Sequence, residues 1–231
     1  MRSALAVVLF LYGWSPAFAE ETVDLELVLA IDASSSVDPT EWQLQRQGYA
    51  AAFGDPEIQA AIVSGPNKRV ALSVVVWADA TVPRWESAWV VLATPEDCER
   101  MATFMAALPR IPLGGTGIGM GLAAAIRKFD RNGLVAPRQV VDVSGDGRET
   151  PPRDNVVLIP MANAFARARG VTVNGLAIVN EDLGLKTWYR DNVIAGHGSF
   201  VIIAADYADF SEAIRKKLLR EIKHQERLTL R

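Results

Sequence analysis

Apolar residues run unbroken from Leu27 to Ile31, as expected of a strand covered on both faces. A second such run, rich in β-branched residues, occupies Arg69 to Ala78. Between them the period changes. Trp42, Tyr49 and Phe53 share one helical face behind Pro39, with Asp38 or Ser36 placed to cap the helix and Gly54-Asp55-Pro56 closing the neighbourhood. Trp85 to Leu92 predicts a third strand, at a sheet edge given Pro83. Pro95 to Leu108 predicts a helix capped by Thr94. Ile118, Leu122, Ala125, Ile126 and Phe129 form the apolar stripe of another helix, entered through a run of glycines. Then follow a strand over Val140 to Val143, a helix over Asp154 to Arg169 ended by Gly170, and a strand over Val171 to Val179. A short helix over Leu185 to Val193 and a last strand over Phe200 to Ala204 come next. The final helix repeats Phe210, Ile214, Leu218 and Ile222. Strands alternating with helices predict an α/β fold: a single doubly wound, mostly parallel sheet flanked by helices on both faces.

Candidate chemistry gathers where these strands end. Asp32, Ser34 and Ser36 are spaced D-x-S-x-S as the first strand breaks into a loop. One carboxylate and two hydroxyls at alternate positions can turn toward one point, which suits a small hard cation. Thr116 stands among glycines in LGGTGIGMGL (Leu113 to Leu122), on an expected exposed rim. Asp146 closes the strand-like run QVVDVSGDG. Ligands of open α/β sheets gather outside the carboxyl ends of the strands, so these three loops can share one rim.

D-x-S-x-S, then a threonine in a glycine-rich loop, then Asp-Gly after a strand, resembles the metal-ion-dependent adhesion site of von Willebrand factor A domains. The resemblance covers nearly all the chain after residue 20. More narrowly, IDASSSVD and DVSGDG resemble a group of bacterial secreted A-domain-like proteins with no assigned function. It implies that Asp32, Ser34, Ser36, Thr116 and Asp146 surround a divalent cation, Mg²⁺ or Mn²⁺, some of them through water. It also implies an adhesion-type role. A site of hydroxyls and only two carboxylates leaves the cation short of negative charge, so a partner protein offering an acidic side chain would complete it.

Composition bounds this reading. The length of 231 residues is ample for one domain, and the hydrophobic half of the chain together with a 22% charged share is ordinary for a globular protein. A net charge of −3 argues against a general nucleic-acid surface. Arg2, the apolar run Ala4 to Tyr12 and Ala17-Phe18-Ala19 predict a signal peptide over residues 1–19, with the A-type domain over 20–231. An uncleaved anchor is the alternative, but the run is shorter than the roughly 20 residues a spanning helix needs. The expected product is exported, periplasmic or extracellular, with no membrane segment left after cleavage. Cys98 is the one cysteine, so no intramolecular disulfide forms, and it reads as a structural thiol.

Other features invite sharper readings. The glycine run matches neither a dinucleotide fingerprint nor a lysine-bearing phosphate loop. Asp142 interrupts an apolar strand: either it orients metal ligands, or it pairs with a structural donor such as Arg138 or a backbone group. The basic run from Ile214 to Arg231 is either a membrane- or partner-binding face or a docked helix turning its charges to water, diluted by Glu212, Glu221 and Glu226. His197 and His224 fit no zinc spacing. No G-x-S-x-G motif or matching histidine supports Ser34, Ser35 or Ser36 as a nucleophile, and the chain reads as a non-enzyme. The alternatives are a metal-dependent hydrolase of phosphates or esters, in which Asp32 and Asp146 hold a metal that activates water, and an interaction domain with a vestigial metal site.

Overall fold

The computed structural model describes residues 20–150 and 156–223. The expected signal peptide, Asp154, His224 and Glu226 lie outside the described residues. The chain runs β1 (Glu21–Thr22), β2 (Leu25–Asp32), α1 (Pro39–Gly54), α2 (Pro56–Ile62), β3 (Val70–Trp77), β4 (Trp85–Glu86), β5 (Val90–Leu92) and α3 (Pro95–Ala106). It continues through α4 (Ile118–Arg127), β6 (Leu134–Val135), β7 (Gln139–Gly145), α5 (Ile159–Ala168), β8 (Thr172–Ile178) and α6 (Leu185–Trp188). A π-helical turn (Tyr189–Val193), β9 (Val201–Ala204) and α7 (Phe210–Lys223) complete it.

The main sheet has the order β4-β3-β2-β7-β8-β9, with β5 also on β3; β4 and β5 pair antiparallel and every other pairing is parallel. The strand alternation sorts β2 onto two cores. Leu25, Leu27, Leu29 and Ile31 face α1, α2, α3 and α7, whereas Val28 and Ala30 face α4, α5 and the π turn. Helices therefore cover both faces, which is why β2 and β3 are buried at every position. From β2 the chain goes out to β3 on one side and returns as β7 on the other. That reversal opens a crevice at the carboxyl ends of β2 and β7.

Local chemistry explains the boundaries. Asp38 and Glu41 form a capping box on α1, and Thr94 and Asp97 form another on α3, each with proline in the first turn. Three boundaries differ from those expected. Asp55 ends α1 and also caps α2, accepting from Glu57 N and Ile58 N, so the chain starts a second helix where Gly54-Asp55-Pro56 predicted only a stop. The third strand is split. Ser87 N donates to Val74 O at 2.9 Å while Ser87 Oγ accepts from Val74 N at 2.9 Å, so this side chain stands in for the ladder acceptor and breaks the run. Helix α5 begins at Ile159, behind Leu158 and with proline in its first turn.

Candidate metal centre

The crevice brings all five sequence-predicted residues together. At the end of β2, Asp32 Oδ1 accepts from Ser34 N at 2.8 Å, which folds the loop back over its carboxylate. Ser34 Oγ and Ser36 Oγ lie 3.1 Å apart, and Ser36 Oγ donates to Asp146 Oδ1 at 2.7 Å. Thr116 Oγ1 donates to Ser34 Oγ at 3.5 Å. A chain of side-chain oxygens thus crosses three loops, with Asp32 beneath it. Ser36 is exposed; Asp32 and Ser34 are fully buried, and Thr116 and Asp146 nearly so. Thr116 is therefore not the exposed rim residue that its glycine surroundings predicted.

Backbone ties set this geometry. Ser35 N donates to Gly114 O at 2.8 Å, and Thr150 N donates to Thr116 O at 2.9 Å, so each loop holds the next. Asp79, beyond the end of β3, accepts from Gly115 N at 2.9 Å. A Cβ on Gly117 would stand 2.8 Å from Ala78 O, so the bare backbone is what lets the Thr116 loop lie against β3. The first turn of α4 is no phosphate cradle: Gly119 N donates to Glu149 Oε1 at 2.8 Å, so the chain's own carboxylate already stands there.

Burial, and next the charge of Asp146, push the Asp32 carboxyl up to about 8. Asp32 Oδ2 is buried and has no hydrogen-bond partner among the described residues. A buried carboxylate beside a second one, with hydroxyls around them and no positive side chain in the constellation, is an arrangement that a cation would relieve. All five donors are oxygen, the set that Mg²⁺ and Mn²⁺ prefer. Among the described residues no group of three or more His, Cys, Asp or Glu side chains could hold a metal, so this centre depends on its hydroxyls. The residues fit the cation.

Sequence reasoning missed Tyr207, whose hydroxyl donates to Asp146 Oδ2 at 2.9 Å from the segment between β9 and α7. Asp142 is absent from the centre. It points to the opposite face of β7, where Lys217 Nζ lies 2.5 Å from its Oδ1 and 2.8 Å from Glu221 Oε1, all three fully buried or nearly so. The structural reading of Asp142 holds, but the donor is Lys217. Arg138 instead donates to Glu221 O at 2.6 Å. Glu221, expected to dilute a water-facing basic surface, is part of this buried cluster. Cys98 is buried on α3, and burial pushes its thiol up to about 11, as fits an inert structural residue.

Three solved structures show what this architecture is similar to. The pilus adhesin SpaC from Lactobacillus rhamnosus GG matches with a TM-score of 0.62 at 12% identity, over 87% of this chain and 31% of its own. Proximal thread matrix protein 1 from the mussel byssus, described with a zinc-occupied MIDAS motif, matches at 0.56 and 17% identity, over 86% and 45% of the two chains. The vWF domain of the type V pili tip protein Mfa5 from Porphyromonas gingivalis matches at 0.55 and 13%, over 87% and 97%. This chain thus spans less than half the length of the first two. The fold is that of a von Willebrand factor A domain. The chain belongs to the family described as a protein of unknown function, DUF1194, whose pattern matches residues 22–226. No curated protein matches the sequence. These three structural neighbours are an adhesin, a matrix protein and a pilus-tip domain.

Proposed function

We propose that this chain is an exported interaction module that binds one divalent cation, Mg²⁺ or Mn²⁺, through Asp32, Ser34, Ser36, Thr116 and Asp146. Through that cation it would capture a carboxylate on a partner protein. The observation that carries the reading is the linked run of four oxygen-bearing side chains over the buried Asp32 carboxylate, one oxygen of which has no partner among the described residues. A zinc-occupied MIDAS motif on the same fold in the mussel protein supports a divalent cation here, and the pilus adhesin supports a protein as partner.

Each residue has a part that follows from its place. Asp32 and Asp146 supply the only carboxylates in the constellation, and so the charge that holds the ion. Ser34, Ser36 and Thr116 add neutral oxygens without further charge, and Tyr207 fixes one oxygen of Asp146 so that the other faces Ser36. When bound, the cation supplies a positive charge that two carboxylates do no more than balance, and it therefore retains affinity for an incoming acid. With no histidine in the constellation and both carboxylates hydrogen-bonded into it, the site is organised for ligation. Among the described residues no helix is long and apolar enough to cross a membrane.

Calorimetry with Mn²⁺ tests the assignment. The wild-type protein is expected to bind one ion, and Asp32→Ala to lose binding while keeping its far-ultraviolet circular dichroism. Unchanged Mn²⁺ affinity in Asp32→Ala would show that the ion sits elsewhere. A wild-type protein that binds no ion would leave the constellation a purely structural network.

A further inference from the structure

Asp32 Oδ2 and the hydroxyl of Tyr189, a residue with no exposed surface, are both buried polar atoms without a hydrogen-bond partner among the described residues. Both face Gly145, the last residue of β7. A Cβ on Gly145 would stand 2.6 Å from the Tyr189 hydroxyl and 2.8 Å from Asp32 Oδ2. The missing side chain therefore leaves a gap that opens on both oxygens. A second glycine, Gly175 on neighbouring β8, clears the path: a Cβ there would stand 2.9 Å from Tyr189 Cδ1. Two bare positions on adjacent strands make a slot for the phenol ring, and the π-helical turn that begins at Tyr189 delivers the ring into it. The Trp188 ring packs edge-on against it, 5.8 Å away between centroids.

A phenol hydroxyl donates one hydrogen bond, and a carboxylate oxygen can only accept. Packing alone would be served as well by phenylalanine, which leaves no donor to bury. We propose that Tyr189 is a positioning residue of the metal centre. Its hydroxyl donates to Asp32 Oδ2, directly or through one water in the Gly145 gap, and holds the carboxylate at the angle the cation needs. With Tyr207 on Asp146, each carboxylate of the centre then has a tyrosine behind it. The inference rests on the cation-binding reading above. Outer hydrogen bonds of this kind typically change metal affinity 10- to 100-fold.

The test is Mn²⁺ calorimetry on wild type, Tyr189→Phe and Tyr49→Phe, with a near-ultraviolet tyrosine difference spectrum recorded during each titration. Tyr49 is a buried tyrosine on the other face of the sheet, hydrogen-bonded to Ser144 Oγ at 3.1 Å, and serves as the control. Tyr189→Phe is expected to bind Mn²⁺ at least about 10-fold more weakly, to lose the part of the difference signal that Tyr189 contributes beside Tyr207, and to keep its far-ultraviolet circular dichroism. Tyr49→Phe is expected to keep both affinity and signal. Mn²⁺ affinity within twofold of wild type in Tyr189→Phe would overturn the inference and leave the cation site standing. Absence of Mn²⁺ binding in the wild type would overturn the cation reading itself.

Discussion

Thr116 illustrates how a single side chain can matter to a ligand and little to the fold. Its hydroxyl reaches only Ser34 Oγ, at the long distance of 3.5 Å, while its carbonyl takes both the backbone and the hydroxyl of Thr150. Thr116→Ala removes the first contact and spares the other two. A hydrogen bond that long is worth at most about 0.5–1 kcal/mol, so the melting temperature should fall by no more than about 4 °C. Mn²⁺ binding should weaken measurably, since one of five oxygens is gone. Scanning fluorimetry beside calorimetry would check both, and an unaltered Mn²⁺ affinity would remove Thr116 from the ligand set. That these five oxygen-bearing side chains gather on one rim was legible because each sits at a strand end or in a glycine loop, and the resemblance to A domains tied the three loops together. Tyr189, Tyr207 and Asp79 were not. Their partners lie far away in sequence, and no periodicity marks a hydroxyl or carboxylate that acts across loops.

At the scale of elements, β7 and α7 are joined by the buried Asp142–Lys217–Glu221 cluster. Asn174 Nδ2 of β8 also donates to Glu221 Oε1 at 2.9 Å, and Tyr49 of α1 lies nearby. Burial pushes the Asp142 carboxyl from 3.8 up to about 7; Lys217 pulls it down and Glu221 adds to the rise. A carboxyl raised in this way takes up a proton on folding. Its stabilising contribution is complete below pH 4 and is lost as pH rises through about 7. This group alone should make stability decline across that window with a slope of at most about 1.4 kcal/mol per pH unit, beside the decline that the raised Asp32 carboxyl adds in the same sense. Asp142→Asn should make this limb shallower in urea melts at stepped pH; an identical slope would mean that the proton resides elsewhere. Lys217→Met leaves two buried carboxylates without their cation and should cost about 3–5 kcal/mol. The sequence displayed the period of α7 but hid this cluster, because Asp142 and Lys217 stand far apart along the chain. It likewise hid α2, since a residue that both ends one helix and starts the next reads simply as a break.

For the whole molecule, the position of the centre follows from topology. Its two carboxylates close β2 and β7, the strands on either side of the reversal in chain order, and their neighbours in the sheet hold both ends rigid. This was readable as soon as strands and helices were seen to alternate. Export is an expectation at the same scale: cleavage after Ala19 should leave Glu20 as the first residue, to be read by intact-mass spectrometry of the exported protein. A mass that retains residues 1–19 would contradict it.

One feature of α3 bears on where such a protein can mature. Its single thiol, Cys98, is shut inside the core and held in the protonated form, and the chain offers it no second cysteine. The native state is then the same chemical species on either side of a redox boundary. Protein prepared in a reducing cytosol and protein recovered from an oxidising compartment should melt together, with or without a reductant. Its folding would require no disulfide oxidase or disulfide isomerase, and its integrity would be indifferent to the thiol balance of its surroundings.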